Sequence, residues 1–160
     1  VFGDIDQGEL SLDARAEWTF SPTLTLQLWA QPFVASGRYG AFKEFRTPGA
    51  FAFDRYGIDR GTITRAGAKA GNQVTVDPDG EGPAAPFTFA EQDFLVRSLR
   101  GNAVLRWEYR PGSTLFFVWQ QQRQGFDDWA DLGATRDVAS VFRAPARNVF
   151  LVKASYWLGR

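Results

Sequence analysis

The chain is 160 residues long, carries 18 basic and 18 acidic residues, and is 16% aromatic, roughly twice the share of an ordinary soluble domain. Its formal net charge of zero argues against nucleic acid as a partner, which requires a basic surface. With no Cys and no His, disulfides, thiolate metal sites, thiol nucleophiles and imidazole bases are excluded, and no run of about 18 apolar residues supplies a transmembrane helix. No enzyme activity is expected. The chain opens at Val1 without a basic and apolar leader, and is expected to be a processed portion of something longer.

In chain order, residues 9–20 alternate without error. Leu10, Leu12, Ala14, Ala16, Trp18 and Phe20 fall on one face, and Glu9, Ser11, Asp13, Arg15, Glu17 and Thr19 on the other. A period of two over twelve residues suits only an extended strand. A second strand, about 23–34, sets Leu24, Leu26, Leu28 and Ala30 against Thr23, Thr25, Gln27 and Gln31. A third, about 96–109, sets Leu99, Ala103, Leu105, Trp107 and Tyr109 against Ser98, Arg100, Asn102, Arg106 and Glu108. The fourth, 115–123, and the fifth, 148–158, are apolar on both faces over part of their length. Globular strands average about five or six residues, whereas a tilted strand crossing a bilayer needs roughly 9 to 11. The expected strands match the membrane length.

The connections alternate in length. Ser21-Pro22-Thr23 and the segment from Arg110 to Thr114 are short, while about 35–94 and 124–147 are long and rich in Gly, Pro and Asp. All short turns then lie on one rim and all long loops on the other, as in outer-membrane barrels with short periplasmic turns and long extracellular loops. Odd loop lengths keep the apolar face on one side if Phe20 pairs with Leu24 and Tyr109 with Leu115. Leu115, Phe117 and Trp119 then face lipid, and Phe116 and Val118 turn inward, which suggests a plug or inner packing. Trp18, Phe20, Trp107, Tyr109 and Tyr156 fall at the level of the short turns, where aromatic girdles sit.

Three blocks, SLRGNAVLRWEYRPGSTLFFVWQQQR (98–123), WTFSPTLTLQLWAQPFVASGRYGAFKEF (18–45) and NVFLVKASYWLGR (148–160), resemble the carboxy-terminal end of a bacterial family. Its members are large secreted proteins with an amino-terminal module like a carbohydrate-binding domain, followed by a long membrane-associated β region of unknown function. The resemblance implies that the chain is the last part of an outer-membrane barrel from a Gram-negative-type bacterium, and it carries over no catalytic motif. Phe150, Val152, Ala154, Tyr156 and Leu158 resemble the terminal strand signal read by barrel-assembly machinery, although Gly159-Arg160 follows where an aromatic terminus is usual.

Three groups of residues are candidates for chemistry. Asp77, Asp79 and Glu81 in DPDGEG resemble an oxygen-ligand loop for Ca2+; the plain alternative is a solvated Asp-Pro-Gly turn. Asp127, Asp128 and Asp131 around Trp129 have the residue types to stack a sugar ring and accept its hydroxyl hydrogens, or simply to solubilise a loop, and a glycosidase pair of carboxylates has nothing to fix its separation. Asp13, Arg15, Glu17, Arg100, Arg106 and Glu108 are expected on the inner face as a cross-strand ion-pair lattice, since mixed signs suit a lattice better than a selective pore.

The expected fold is therefore all-β, an antiparallel up-and-down meander forming the carboxy-terminal strands of a transmembrane outer-membrane β-barrel. Five strands cannot close, because an open edge in lipid leaves backbone groups unpaired, so further strands of the same polypeptide, or further chains, are expected partners beside outer-membrane lipid and the assembly machinery. The expected role is transport or surface anchoring of a larger glycan-associated protein. The competing expectation is a soluble, secreted β-sheet module that binds carbohydrate through its acidic and aromatic loops.

Overall fold

A computed structural model describes residues 1–66, 73–128, 130 and 133–159. The protein is all-β, 68% strand and 4% helix, with antiparallel sheets. The elements are β1 (Phe2–Ser11), β2 (Ala14–Ser21), β3 (Leu24–Phe45), β4 (Phe53–Arg55), β5 (Thr62–Arg65), β6 (Gln73–Asp77), β7 (Phe87–Ala90), β8 (Phe94–Arg110), β9 (Ser113–Asp127), α1 (Ala134–Val141) and β10 (Ala146–Ser155). One sheet has the order β1-β3-β8-β9-β10, with β2 and β4 also pairing β3, and a three-stranded sheet has the order β5-β6-β7. The chain divides into two compact units.

The unit formed by 9–35, 96–126 and 132–160 holds the meander, with neighbours β2, β3, β8, β9 and β10 following one another as they do along the chain. The expected first strand, 9–20, is interrupted. β1 ends at Ser11 and β2 begins at Ala14, although the Leu12 N–H still reaches the Pro32 carbonyl at 3.1 Å. Alternation runs through Leu12 and Asp13 unbroken, so periodicity alone does not mark this break. The β2–β3 register runs Ala14↔Ala30, Ala16↔Leu28, Trp18↔Leu26 and Thr19↔Thr25, then shifts to Ser21↔Leu24. The expected Phe20–Leu24 pair extends the same register by one step, but the chain instead bulges at Phe20. Ser21 drives this, because its Oγ accepts the Thr23 N–H at 3.3 Å and lies 3.1 Å from Thr23 Oγ1, tightening the connection to Pro22-Thr23.

The second connection is likewise shorter than expected. β8 runs to Arg110 and β9 starts at Ser113, leaving Pro111-Gly112 as the turn. Proline presets φ for the first position and Gly112, at φ +77°, takes the left-handed second one, the combination a type II turn asks for. Glu108 Oε1 accepts the Gly112 N–H at 3.1 Å. In α1, Asp137 Oδ2 accepts the Gly133 N–H at 2.7 Å and Ser140 Oγ donates to the Asp137 carbonyl at 2.7 Å. The neighbouring Arg136 guanidinium and the Gly133 N–H hold the Asp137 carboxyl below the usual range against the opposing effect of its burial.

The other unit comprises 1–8, 36–95 and 127–131. Composition predicts a long loop over about 35–94. Much of it is strand instead: β3 continues to Phe45, β4 pairs with it (Lys43↔Arg55, Phe45↔Phe53), and β5, β6 and β7 pair as Ile63↔Val76 and Val74↔Phe89. Phe42, Tyr56, Val74 and Val76 are buried together, with Tyr39, Ile63, Phe87 and Phe89 against them, and fully burying each Val is worth about 1.5–3 kcal/mol. The Tyr56 hydroxyl donates to Glu44 Oε2 at 2.8 Å, and Arg60 holds Glu44 Oε1 at 3.0 Å. Burial, then the Glu44 hydrogen bond, push the Tyr56 phenol up to about 12. Asp59 accepts both the side chain and the backbone N–H of Arg55, which holds its carboxyl down to about 2.

Candidate membrane-facing surface

The paired registers define two faces in the meander. β9–β10 pairs Trp119↔Phe150, Phe117↔Val152 and Leu115↔Ala154, which places these apolar side chains together. Leu99, Gly101 and Ala103 of β8, Ala14 and Ala16 of β2, and Leu28 and Ala30 of β3 line one hollow with Trp119, which Arg15, Trp29 and Asn102 of the other row also border; with the β9–β10 pairs they make up one mainly apolar face. Its large side chains stand open. Trp18, Phe20, Trp107, Phe117, Trp119, Phe150 and Val152 are between 40% and 76% exposed. Soluble monomers rarely expose a continuous apolar patch of such extent. Trp119 shares this hollow with Leu99 and Ala103, and Leu115 and Phe117 lie on the same side of β9 as Trp119.

Both short turns lie at one end of the meander. The Glu108 N–H donates to the Thr23 carbonyl at 2.8 Å, and Ser155 pairs with Thr114 while the Trp157 N–H donates to Ser113 Oγ at 3.0 Å. The aromatic residues follow. Trp107 and Tyr109 meet edge to face at 6.1 Å, and Arg110 lies over the Tyr156 ring at 5.8 Å while donating to its hydroxyl at 3.2 Å. A Trp and Tyr belt with an Arg fits the chemistry of a membrane interface, where amphipathic rings and a snorkelling cation find both apolar and wet surroundings.

The reverse face carries the predicted charges, in a different arrangement from the expected one. Asp13 pairs with Arg15 at 3.1 Å and Arg106 with Glu108 at 3.3 Å. Each pair is two residues apart in sequence, so these are contacts along the chain rather than a cross-strand lattice. Among the described residues Glu17 and Arg100 form no ion pair. The cross-strand contact is instead Trp29 Nε1–H to Asp13 Oδ2, at 2.9 Å. Trp29 is not among the expected site residues; it interrupts the otherwise polar row Thr25, Gln27 and Gln31 of β3, and that interruption is the signal that marks it. On this same face of β9, Phe116 and Val118 are matched by the last strand: Val118 pairs with Leu151, and Lys153, opposite Phe116, lies 6.0 Å from its ring.

Asp77, Asp79 and Glu81 do not converge on a common point. Asp77 Oδ1 accepts the Gly80 N–H at 2.9 Å and Asp79 Oδ2 the Ala84 N–H at 3.0 Å, so these carboxylates cap their own turn, while Glu81 is exposed. Among the described residues no group of three His, Cys, Asp or Glu side chains is placed to hold a metal ion. Of the acidic-aromatic group, Asp127 ends β9 and Asp128 follows it, and Trp129 and Asp131 lie outside the described residues. No described helix is long and apolar enough to cross a membrane.

The sheet ends on open strands. β10 is exposed at every position from Ala146 to Ser155, and among the described residues it pairs only with β9. No family model matches the sequence, and searches of curated proteins and of solved structures find no similar chain.

Proposed function

We propose that the chain is the carboxy-terminal part of an outer-membrane β-barrel that serves transport or surface anchoring of a larger glycan-associated protein, without enzymatic activity. The observation that carries this reading is the apolar face built by β2, β3, β8, β9 and β10, with Trp119, Phe150, Phe117 and Val152 in the open and mainly polar side chains on the reverse of β2, β3 and β8. In water that face costs roughly 25 cal/mol for each Å2 left exposed, whereas hydrocarbon satisfies it. The exposed edge of β10 supports the same reading, because such an edge in lipid demands a further strand. That strand comes from the same polypeptide or from another chain, placed by barrel-assembly machinery. The resemblance of the three sequence blocks supports attachment to a glycan-associated protein. On this reading the Pro22-Thr23 and Pro111-Gly112 turns are periplasmic and the long connections extracellular.

Fractionation of cells that express the full-length native protein, followed by protease shaving of intact cells, tests the proposal. The expected result is detergent-dependent extraction, heat-modifiable gel migration, and cuts confined to residues 35–94 and 124–147. Cleavage at Arg110 from outside would reverse the topology. A protein fully soluble in buffer would leave instead a secreted module that binds carbohydrate through its loops.

A further inference from the structure

The polar face of the meander contains an arrangement that neither anchoring nor a closed charge lattice requires. Trp29 stands at its centre, its ring held by the Nε1–H bond to Asp13, which Arg15 in turn clamps. Two hollows flank it. One of about 520 Å3 is lined by Arg15, Glu17, Gln27 and Asn102, and one of about 300 Å3 by Arg100, Asn102, Gln120, Gln122 and Arg147. Both volumes fall in or near the range of small-molecule sites.

The amides separate this face from the other. On the apolar face Gln121 donates to Asn148, which also accepts from Trp119, so those polar groups satisfy one another. Around Trp29, the side chains of Gln27, Asn102, Gln120 and Gln122 make no hydrogen bond to protein among the described residues. Each offers two donors and an acceptor oxygen. Amides with both functions suit hydroxyl groups, which likewise donate and accept. A fixed indole presents an electron-rich face to the weakly positive C–H groups of a pyranose. The smaller hollow adds two guanidiniums, Arg100 and Arg147, and no carboxylate, which favours an anionic group there and offers it bidentate donors.

We propose that this face binds an acidic oligosaccharide, with one sugar ring stacked on Trp29, its hydroxyls shared among the four amides, and the carboxylate of a neighbouring uronate held by Arg100 and Arg147. The site lies on the reverse of the face read as membrane-embedded and does not depend on that reading.

The test is calorimetric titration of the full-length native protein in detergent micelles with hexagalacturonate and hexamannuronate, and with maltohexaose as the neutral counterpart. At least one oligouronate is expected to bind more tightly than maltohexaose. Trp29→Ala should weaken it at least about tenfold, and Gln120→Ala about three- to tenfold, the loss for one stacked ring or one hydrogen bond. Arg147→Ala should remove the advantage over maltohexaose, and Trp18→Ala on the opposite face should change nothing. Circular dichroism and gel migration of each variant establish that it is folded. Binding of neither oligouronate, or binding indifferent to a folded Trp29→Ala variant, overturns the proposal. Equal binding of maltohexaose overturns the acidic specificity. A full-length protein without heat-modifiable migration that still binds through Trp29 refutes the membrane reading and leaves the site intact.

Discussion

Trp119 and Phe150 lie face to face across the β9–β10 ladder, as register partners with ring centroids 6.4 Å apart and planes 9° from parallel. Phe150 is nonetheless 76% exposed. A stacked pair on the open side of an edge strand has a different energetic meaning in water and in hydrocarbon, and this makes it a probe of the surroundings. Phe150→Arg in water should change stability by no more than about 0.5 kcal/mol, as at most exposed positions. On the lipid face near the bilayer midplane the same change should cost about 2–4 kcal/mol. Urea-induced unfolding from lipid vesicles measures it, and a loss below about 0.5 kcal/mol there would place Phe150 outside the membrane.

Gly112 makes the second turn at φ +77°, and a Cβ built there would stand 3.0 Å from the Trp157 Cβ. Gly112→Ala therefore meets both a left-handed backbone and a crowded neighbour. A destabilisation above about 1 kcal/mol is expected, with a fall in the yield of folded protein read by gel migration. An unchanged yield would mean that the turn adopts another conformation.

Ala41, inside β3, has φ +46° and is the described non-glycine residue with positive φ. An L-residue held there costs roughly 1–2 kcal/mol, while glycine tolerates it. Ala41→Gly should raise stability by about 1 kcal/mol, less the greater chain entropy that glycine loses on folding. A denaturant midpoint that falls would show that this backbone is not under strain.

Tyr56 is 5% exposed, and its phenol is pushed up to about 12 from an ordinary value of 10.0. A folded-state value above the unfolded one means that the neutral phenol stabilises the fold. That contribution is complete below pH 10 and is lost as pH rises through about 12. Absorbance of tyrosinate during alkaline titration should show a late phase that Tyr56→Phe removes. The substitution should also cost about 1–2 kcal/mol, because Glu44 Oε2 loses the phenol donor while Arg60 still holds Oε1. A phase near pH 10 for all tyrosines would contradict the burial of this side chain.

Much of the meander was legible from side-chain period alone. In Glu9 to Phe20 every second residue is apolar, and Leu99, Ala103, Leu105, Trp107 and Tyr109 keep the same period in the third strand, which specifies an extended strand and which residues share a face. Loop-length alternation then placed both short turns at one end, where the Glu108–Thr23 contact puts them. Periodicity also held a signal that went unused: QVTVD and FTFA alternate as cleanly as the longer strands, yet they are only five and four residues long and lie among Gly, Pro and Asp. Short strands carry too few periods to stand out from such surroundings.

What the sequence by itself determined is the class of fold, the identity of the two faces and the order of the meander strands, because these follow from the two-residue period and from turn residues close in the chain. The tertiary structure alone decided the break at Leu12 and Asp13, the bulge at Phe20, and the self-capping of Asp77 and Asp79, since local backbone hydrogen bonds outcompete what residue type suggests. It also decided the gathering of Trp29, Asn102, Gln120 and Arg147. These residues come from four strands, and they meet only because register and strand order set them on one face.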